Sequence, residues 1–366
     1  MKPKLFTPIQ LKGITLRNRI AMSPMCQYTA VDGLPTDWHP AHYQSRARGG
    51  AGLVVVEATA VSPEGRITPG CLGIWSDEHA AALKPIADGI KSGGAVPGIQ
   101  IGHAGRKASA NLPWEGDNHI SADDPRGWEP IAPSAIAYGG DLPRLPHEMT
   151  KAEIERVKAD FVAAAKRARD MGFEFLLLHF AHGYLAQNFL SRWSNQRTDE
   201  YGGSAENRAR FMIETLEAVR AVWPEHLPLA ARLGVIEFDD RNEETLAESI
   251  ALAKRFKELG LDFLDVSMGF SIPDAKIPWG AGQLREISKR VLAETGLPGS
   301  TSWNINSPVL AEAMLQEGAG DLVMIGRPLL GNPHWPFAAA RELGLENPTS
   351  VLPPSYAHWL SRYHFA

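Results

Sequence analysis

The chain has 366 residues, 44% of them hydrophobic, a formal net charge of −5 and a pI near 6.2. The apolar share is ample for a large core, the mild acidity without any basic run argues against nucleic acid as a partner, and no apolar stretch is long enough to span a bilayer. Two cysteines, Cys26 and Cys71, make no disulfide framework. The N-terminus is too polar and too proline-broken for a signal peptide. The expected compartment is the reducing cytoplasm, where Cys26 persists as a thiol.

Short apolar runs alternate with helical patterns along the chain. Strands are predicted at 19–22, 52–58, 95–100, 173–178, 227–232, 263–267, 297–301 and 321–325. After the second strand a helix opens at a Ser76 cap, and Pro85 is expected to kink it. Pro97 is awkward inside the third strand, because proline cannot donate to a ladder. A long excursion then runs from 102 to about 149, rich in Pro, Trp, Gly and His. Excursions of this length are usually lids or binding loops, and this one has room for a small hairpin. Thr150 with Glu153 forms a capping box, opening a helix with Ile154, Val157, Phe161, Ala164 and Ala165 on one side. Ser204 caps the next helix. A further helix spans 243–258 and stops at Gly260, and Ser307–Pro308 opens another as N-cap and first turn. Eight strands, most followed by a helix, argue for a parallel sheet closed as a (β/α)8 barrel. The whole chain, 1–366, reads as one such domain with an insertion after the third strand.

Residues just past the strand ends share one face of such a barrel. Strand one leads to Ser23, Cys26 and Tyr28, strand two to Ala58 and strand three to Gln100. Strand four ends in His179, His182 and Tyr184. Strand five ends in Arg232, strand seven leads to Trp303, and strand eight to Gly326 and Arg327. Two neutral histidines offer N–H donors and a phenol offers a weakly acidic proton. Together they can hold a carbonyl oxygen and protonate the neighbouring carbon; the plainer reading is of satisfied polar residues at a strand end. As metal ligands, His179 and His182 would need help from a carboxylate. Arg232 needs an anionic partner: either a nearby carboxylate or an anionic ring such as a reduced flavin. Cys26 is either a small buried hydrophobe or a sulfur tuning such a ring. Gly326 and Arg327 suit a phosphate. A zinc-dependent hydrolase or aldolase, and a barrel that only binds a ligand, stand as the alternatives.

Several blocks carry a resemblance. They are HFAHGYLAQNFLS from His179 to Ser191, NQRTDEYGGSAENR from Asn195 to Arg208, SPMCQY from Ser23 to Tyr28, QIGHAGRK from Gln100 to Lys107, and IGRP from Ile325 to Pro328. The chain resembles the old yellow enzymes, flavin-dependent ene-reductases. It is most similar to their thermophilic-like bacterial branch, which includes the xenobiotic reductases, and its His179/His182 pair fits that branch. The resemblance implies non-covalent FMN, with NADPH (or NADH) as reductant, and enones, nitro compounds and other electrophilic alkenes as substrates. It implies that Ser23, Pro24, Met25 and Cys26 line the flavin and that Ala58 and Gln100 meet its pyrimidine side. Arg232 would lie near N1 and O2, and Gly326 and Arg327 at the phosphate. His179, His182 and Tyr28 would bind substrate, Tyr184 would donate the proton, and Trp303 and Trp359 would form an aromatic cage, Trp303 also touching the flavin. No metal is implied. A homodimer or homotetramer is, with the tail from about 350 to 366 reaching a neighbouring active site. One departure stands out. The family usually has glycines after strand seven, where this chain reads Ser302–Trp303–Asn304–Ile305–Asn306, which places FMN affinity in question.

Overall fold

The computed structural model describes residues 2–363, so residue 1 and the last three residues of the expected tail lie outside the described residues. Eight parallel strands close into a barrel: β1 (Ile20–Met22), β2 (Leu53–Ala60), β3 (Val96–Gly102), β4 (Phe175–Phe180), β5 (Leu229–Gly234), β6 (Phe263–Ser267), β7 (Gly299–Thr301) and β8 (Leu322–Ile325). Each pairs with the next, and β8 pairs with β1. A helix follows each strand: α1 (Trp38–Arg48), α2 (Asp77–Ser92), α3 (Lys151–Asp170), α4 (Ala205–Arg220), α5 (Asn242–Glu258), α6 (Arg285–Thr295), α7 (Pro308–Gln316) and α8 (Trp335–Glu342). The architecture is the TIM barrel that the alternation predicts. Among the described residues no helix is long and apolar enough to cross a membrane.

Local chemistry explains the helix starts. Ser76, Thr150, Ser204 and Ser307 each accept a backbone N–H from three residues on, and Thr150 with Glu153 completes the capping box. Each such cap contributes about 1 kcal/mol. The apolar stripe of α3 is buried as expected. Two proline expectations resolve differently. Helix α2 runs unbroken from Asp77 to Ser92 with Pro85 inside it. Ala81, whose carbonyl loses its partner there, lies on the exposed side, where water can replace the bond. Pro97 is tolerated near the start of β3, where Val96 still donates to Gly52 O at 3.0 Å and Pro97 O accepts from Glu174 N at 2.9 Å.

The strand ends differ from expectation by two residues in four places. Strands β2 to β5 run on to Ala60, Gly102, Phe180 and Gly234. Ala58, Gln100, His179 and Arg232 therefore sit inside strands, not past their ends. Polar residues stop an apolar run in the sequence, but the neighbouring strands here satisfy their backbones. Ala58 pairs with Gln100, and His179 pairs with Arg232.

The insertion, with room for a small hairpin, holds 3-10 turns and a two-residue parallel pair, Ile131–Ala132 with His147–Glu148. Two arginines tie it down through backbone carbonyls. Arg144 bonds the carbonyls of Trp128 and Ile120. Arg106, buried, bonds those of Ile136, Ala137 and Ser271. An N-terminal antiparallel hairpin, Ile9–Leu11 with Ile14–Leu16, has no counterpart in the sequence reading. Gly13 N–H donates to His226 O at 2.7 Å, which places the hairpin at the end of the barrel opposite the site.

Candidate active site

Strand register builds the site from four neighbouring strands. His179 pairs with Arg232, Arg232 with Asp265, and Asp265 with Ser300. Paired residues of a parallel sheet point to the same face, so the four form one polar belt. Arg232 Nε donates to Asp265 Oδ2 at 2.5 Å, and Ser300 donates to Asp265 Oδ1 at 2.8 Å. A second Arg232 nitrogen donates to Ser23 Oγ at 3.1 Å. The carboxylate partner left open above is therefore Asp265. The pair is nearly enclosed: the two side chains are 5% and 0% exposed.

His179, His182 and Tyr184 come together. The ring centroids of His179 and His182 are 4.8 Å apart, and those of His179 and Tyr184 are 5.0 Å apart. Desolvation, then the Arg232 and Lys107 cations, hold His179 well below its usual pKa. His182 is lowered by desolvation first and by His179 next. Both rings are neutral donors at physiological pH. Desolvation raises Tyr184 well above 10, so it keeps its proton. His182 Nε2 lies 2.7 Å from Ser267 Oγ, and the same hydroxyl accepts Trp303 Nε1–H at 2.9 Å. His179 Nδ1 is buried and has no partner.

A cavity of about 480 Å³ opens beside these groups. Its lining includes Ser23, Met25, Arg232, Trp303, Gly326 and Arg327, and Pro24 and His182 also belong to it. Ala58, His179 and Tyr184 line a separate water-sized cavity with Cys71. Tyr28 lines neither: its backbone is left-handed (φ +54) and its ring packs edge-on against Trp114 at 6.0 Å. The turn before it is held by buried Glu57, which accepts Gln27 N–H at 2.8 Å. Cys26 is part-exposed. Trp359 is 70% exposed on a C-terminal helix, Pro354–Leu360, that buries none of its residues; it does not reach this chain's site.

The loop after β7 keeps its turn without glycine. Trp303 and Asn304 are both left-handed (φ +73 and +51). Asn304 donates to Gln283 Oε1 at 2.9 Å, and its carbonyl accepts Gly282 N–H. Left-handed residues other than glycine cost about 1–2 kcal/mol each, which these bonds offset in part.

The residues fit a flavin mononucleotide. Gln100 Nε2 and Ser302 Oγ are buried without partners, a cost of about 1–3 kcal/mol each that a polar ring edge would relieve. Gly326 and Arg327 stand at the mouth of the same cavity, where a short helix begins at Arg327. Among the described residues no group of three His, Cys, Asp or Glu side chains is placed to hold a metal ion. Sequence reasoning missed Asp265, Ser267, Cys71 beside the smaller cavity, and Phe270, whose ring lies 5.8 Å from that of His182 and 5.1 Å from that of Trp303. Asp265 and Ser267 did leave a signal: they alternate with apolar residues along β6, the period of side chains facing one side.

Comparison with known proteins agrees with this geometry. Residues 4–346 match the model of the NADH:flavin oxidoreductase / NADH oxidase family. The NADPH dehydrogenase of Geobacillus sp. (strain WCH70) is 44% identical over 96% of this chain and 98% of its own. The solved old yellow enzyme homologue from Zymomonas mobilis is 30% identical over 93% of each chain, with a TM-score of 0.77. A 2-naphthoyl-CoA reductase complex superposes with a TM-score of 0.84 at 28% identity; it covers 96% of this chain, which spans only 54% of that longer one. The chain therefore belongs to the old yellow enzyme, or NADH:flavin oxidoreductase, family, and it is a flavin oxidoreductase.

Proposed function

We propose that this chain is an FMN-dependent ene-reductase. It reduces the activated C=C bond of enones and related electrophilic alkenes, or nitro compounds, at the expense of NADPH, with NADH as the alternative donor. The observation that carries the reading is the group of two neutral histidines and one protonated tyrosine beside a cavity lined by Ser23, Arg232, Gly326 and Arg327. The NADPH preference rests on the name of the Geobacillus relative. The thermophilic-like bacterial branch rests on that relative's 44% identity against 30% for the Zymomonas homologue and on the His179/His182 pair.

In this reading Ser23 to Cys26, Ala58, Gln100, Trp303 and Arg232 hold the FMN ring, and Gly326 with Arg327 holds its phosphate. Bound FMN, once reduced by NADPH, would supply the hydride that reaches the β-carbon of the alkene. The chain's own residues do the rest. His179 and His182 donate N–H bonds to the substrate oxygen, so donors already point where negative charge develops. Neutral rings suit this role, because they are fixed donors that need no proton transfer. Tyr184 delivers its proton to the α-carbon. A phenol raised above its usual pKa stays protonated until a strongly basic carbon meets it. Trp303 shapes the substrate side. Arg232 shares its charge with Asp265, which tempers the field that the flavin ring meets.

The enzyme is proposed to act in the cytoplasm as a single-domain homodimer or homotetramer. The unburied helix Pro354–Leu360, with Trp359 on it, supports a tail that reaches a neighbouring subunit's site. The test is a visible spectrum of the purified protein, followed by anaerobic NADPH and then cyclohexenone. A yellow protein that bleaches with NADPH and regains colour with the enone is expected. A protein that remains colourless after FMN is added overturns the proposal.

A further inference from the structure

The turn that carries His182 is held from several sides. His182 and Gly183 are consecutive left-handed residues (φ +64 and +67). His182 N–H donates to Met268 O at 3.2 Å. On the other side, the Lys107 ammonium donates to His182 O at 2.8 Å and to Phe270 O at 2.9 Å. Phe270 is left-handed too (φ +51), and its ring lies 5.8 Å from that of His182. The ammonium also lies 4.1 Å from the centroid of the Tyr138 ring, on the insertion. One cation thus joins the ends of β3, β4 and β6 and the insertion. Only glycine fits at 183, because a Cβ there would come within 2.3 Å of Phe270 O and 2.8 Å of Lys107 Nζ.

We propose that Lys107 is a positioning residue: its ammonium sets the His182 ring and the Phe270 wall for a substrate oxygen, and loss of its charge loosens both. The inference rests on the proposed role of His182 and adds a pH dependence to it. The groups facing Lys107 are Arg106 beside it, His179 on β4, His182 and Tyr184 after β4, Glu237 after β5, and Tyr138 and Asp117 on the insertion. Desolvation, then Arg106, bring Lys107 down to about 7, with Glu237 and Asp117 acting the other way. The two histidines are neutral, Tyr184 and Tyr138 keep their protons, and Arg106 stays cationic. Cys71 also falls to about 7, so lysine variants are needed to assign any transition seen there.

Stability and binding should then move in opposite directions. With its folded pKa lowered from 10.5 to about 7, Lys107 is neutral in the folded chain while the unfolded chain still holds the proton. Its contribution to stability therefore rises with pH between those values. Ligand affinity falls over the same range, because the neutral amine is a weaker donor to the two carbonyls. A lysine that served the fold alone would show the same rise in stability with ligand affinity unchanged.

The experiment measures phenol binding to the FMN-loaded enzyme by calorimetry from about pH 6 to about pH 8.5, where phenol itself stays neutral, with thermal melts alongside. The wild type is expected to lose roughly tenfold in affinity across that range. Lys107→Arg, always cationic, is expected to keep the tighter binding throughout. Lys107→Met is expected to bind weakly at every pH. A flat wild-type profile, a slope that persists in Lys107→Arg, or a Lys107→Met enzyme that binds like the wild type overturns the inference. If Lys107→Met does not fold, the wild-type and arginine profiles decide alone. Phenol binding absent at every pH overturns the His179/His182 reading itself, whereas pH-independent binding overturns only the role of Lys107.

Discussion

His179 and His182 stand three residues apart and are placed by different means. His179 belongs to β4, and sheet register fixes it beside Arg232, Asp265 and Ser300. Moving it requires moving a strand. His182 lies on a left-handed turn, and its place depends on a few hydrogen bonds: its N–H to Met268 O, the Lys107 ammonium to its carbonyl, and its ring with Ser267. The strand-held half is rigid because a closed barrel has no free edge along which register can slip. The loop-held half rests instead on a few hydrogen bonds, and one of their donors, Lys107, is brought down to about 7 by desolvation and Arg106.

The largest expected effect is a break in the strand-held half. Asp265→Asn leaves the Arg232 guanidinium buried without its counter-charge. It should destabilise the fold by about 3–5 kcal/mol, read as a lower urea midpoint; an unchanged midpoint would show that the belt does not depend on this pair. Next in size is Tyr184→Phe. It should slow the enone half-reaction about a hundredfold and spare flavin reduction by NADPH in stopped flow. Equal slowing of both halves would remove Tyr184 from the protonation step, and water reaching the α-carbon would shrink the effect. His179→Ala tests the fixed donor and should weaken phenol binding about tenfold, with no pH transition of its own because the ring is already neutral. An unchanged titration would assign the substrate oxygen to His182 alone. Smallest is Asn304→Gly in the loop after β7. It relieves one left-handed residue but loses the bond to Gln283 and gains unfolded-state entropy, so a net change under about 1 kcal/mol is expected in thermal melts. A larger stabilisation would mark that turn as the strained part of the cofactor loop.

The eight strands and their helices were legible because apolar runs and serine or threonine caps are local signals. Helix α3 carries both: Thr150 with Glu153 at its start and Ile154, Val157 and Phe161 along its buried side. The strand ends were read short at His179 and Arg232 because a polar residue looks like an exit to solvent. Inside a closed barrel it is an entry to the lumen, where Arg232 is satisfied across the ladder by Asp265, 33 positions away. The N-terminal hairpin escaped because its strands are three residues each, too short to show a period. The Trp303–Asn304 turn was legible as a departure from the family's pattern, but its left-handed backbone appears only in the structure. Tyr28 and Trp359, assigned to the substrate by resemblance, stand apart from the 480 Å³ cavity in this chain.

By itself the sequence determined the barrel, the family and the chemical cast of His179, His182, Tyr184 and Arg232. The barrel and the chemical cast rest on residue type, period or spacing, and the family on the resemblance of its motif blocks, all of which a linear chain carries openly. Tertiary structure alone decided that Arg232 shares its charge with Asp265, that Ser267 joins His182 to Trp303, and that Lys107 holds the His182 turn. Those contacts link different strand ends. They exist only once the barrel has closed and its register has brought distant polar groups to the same level.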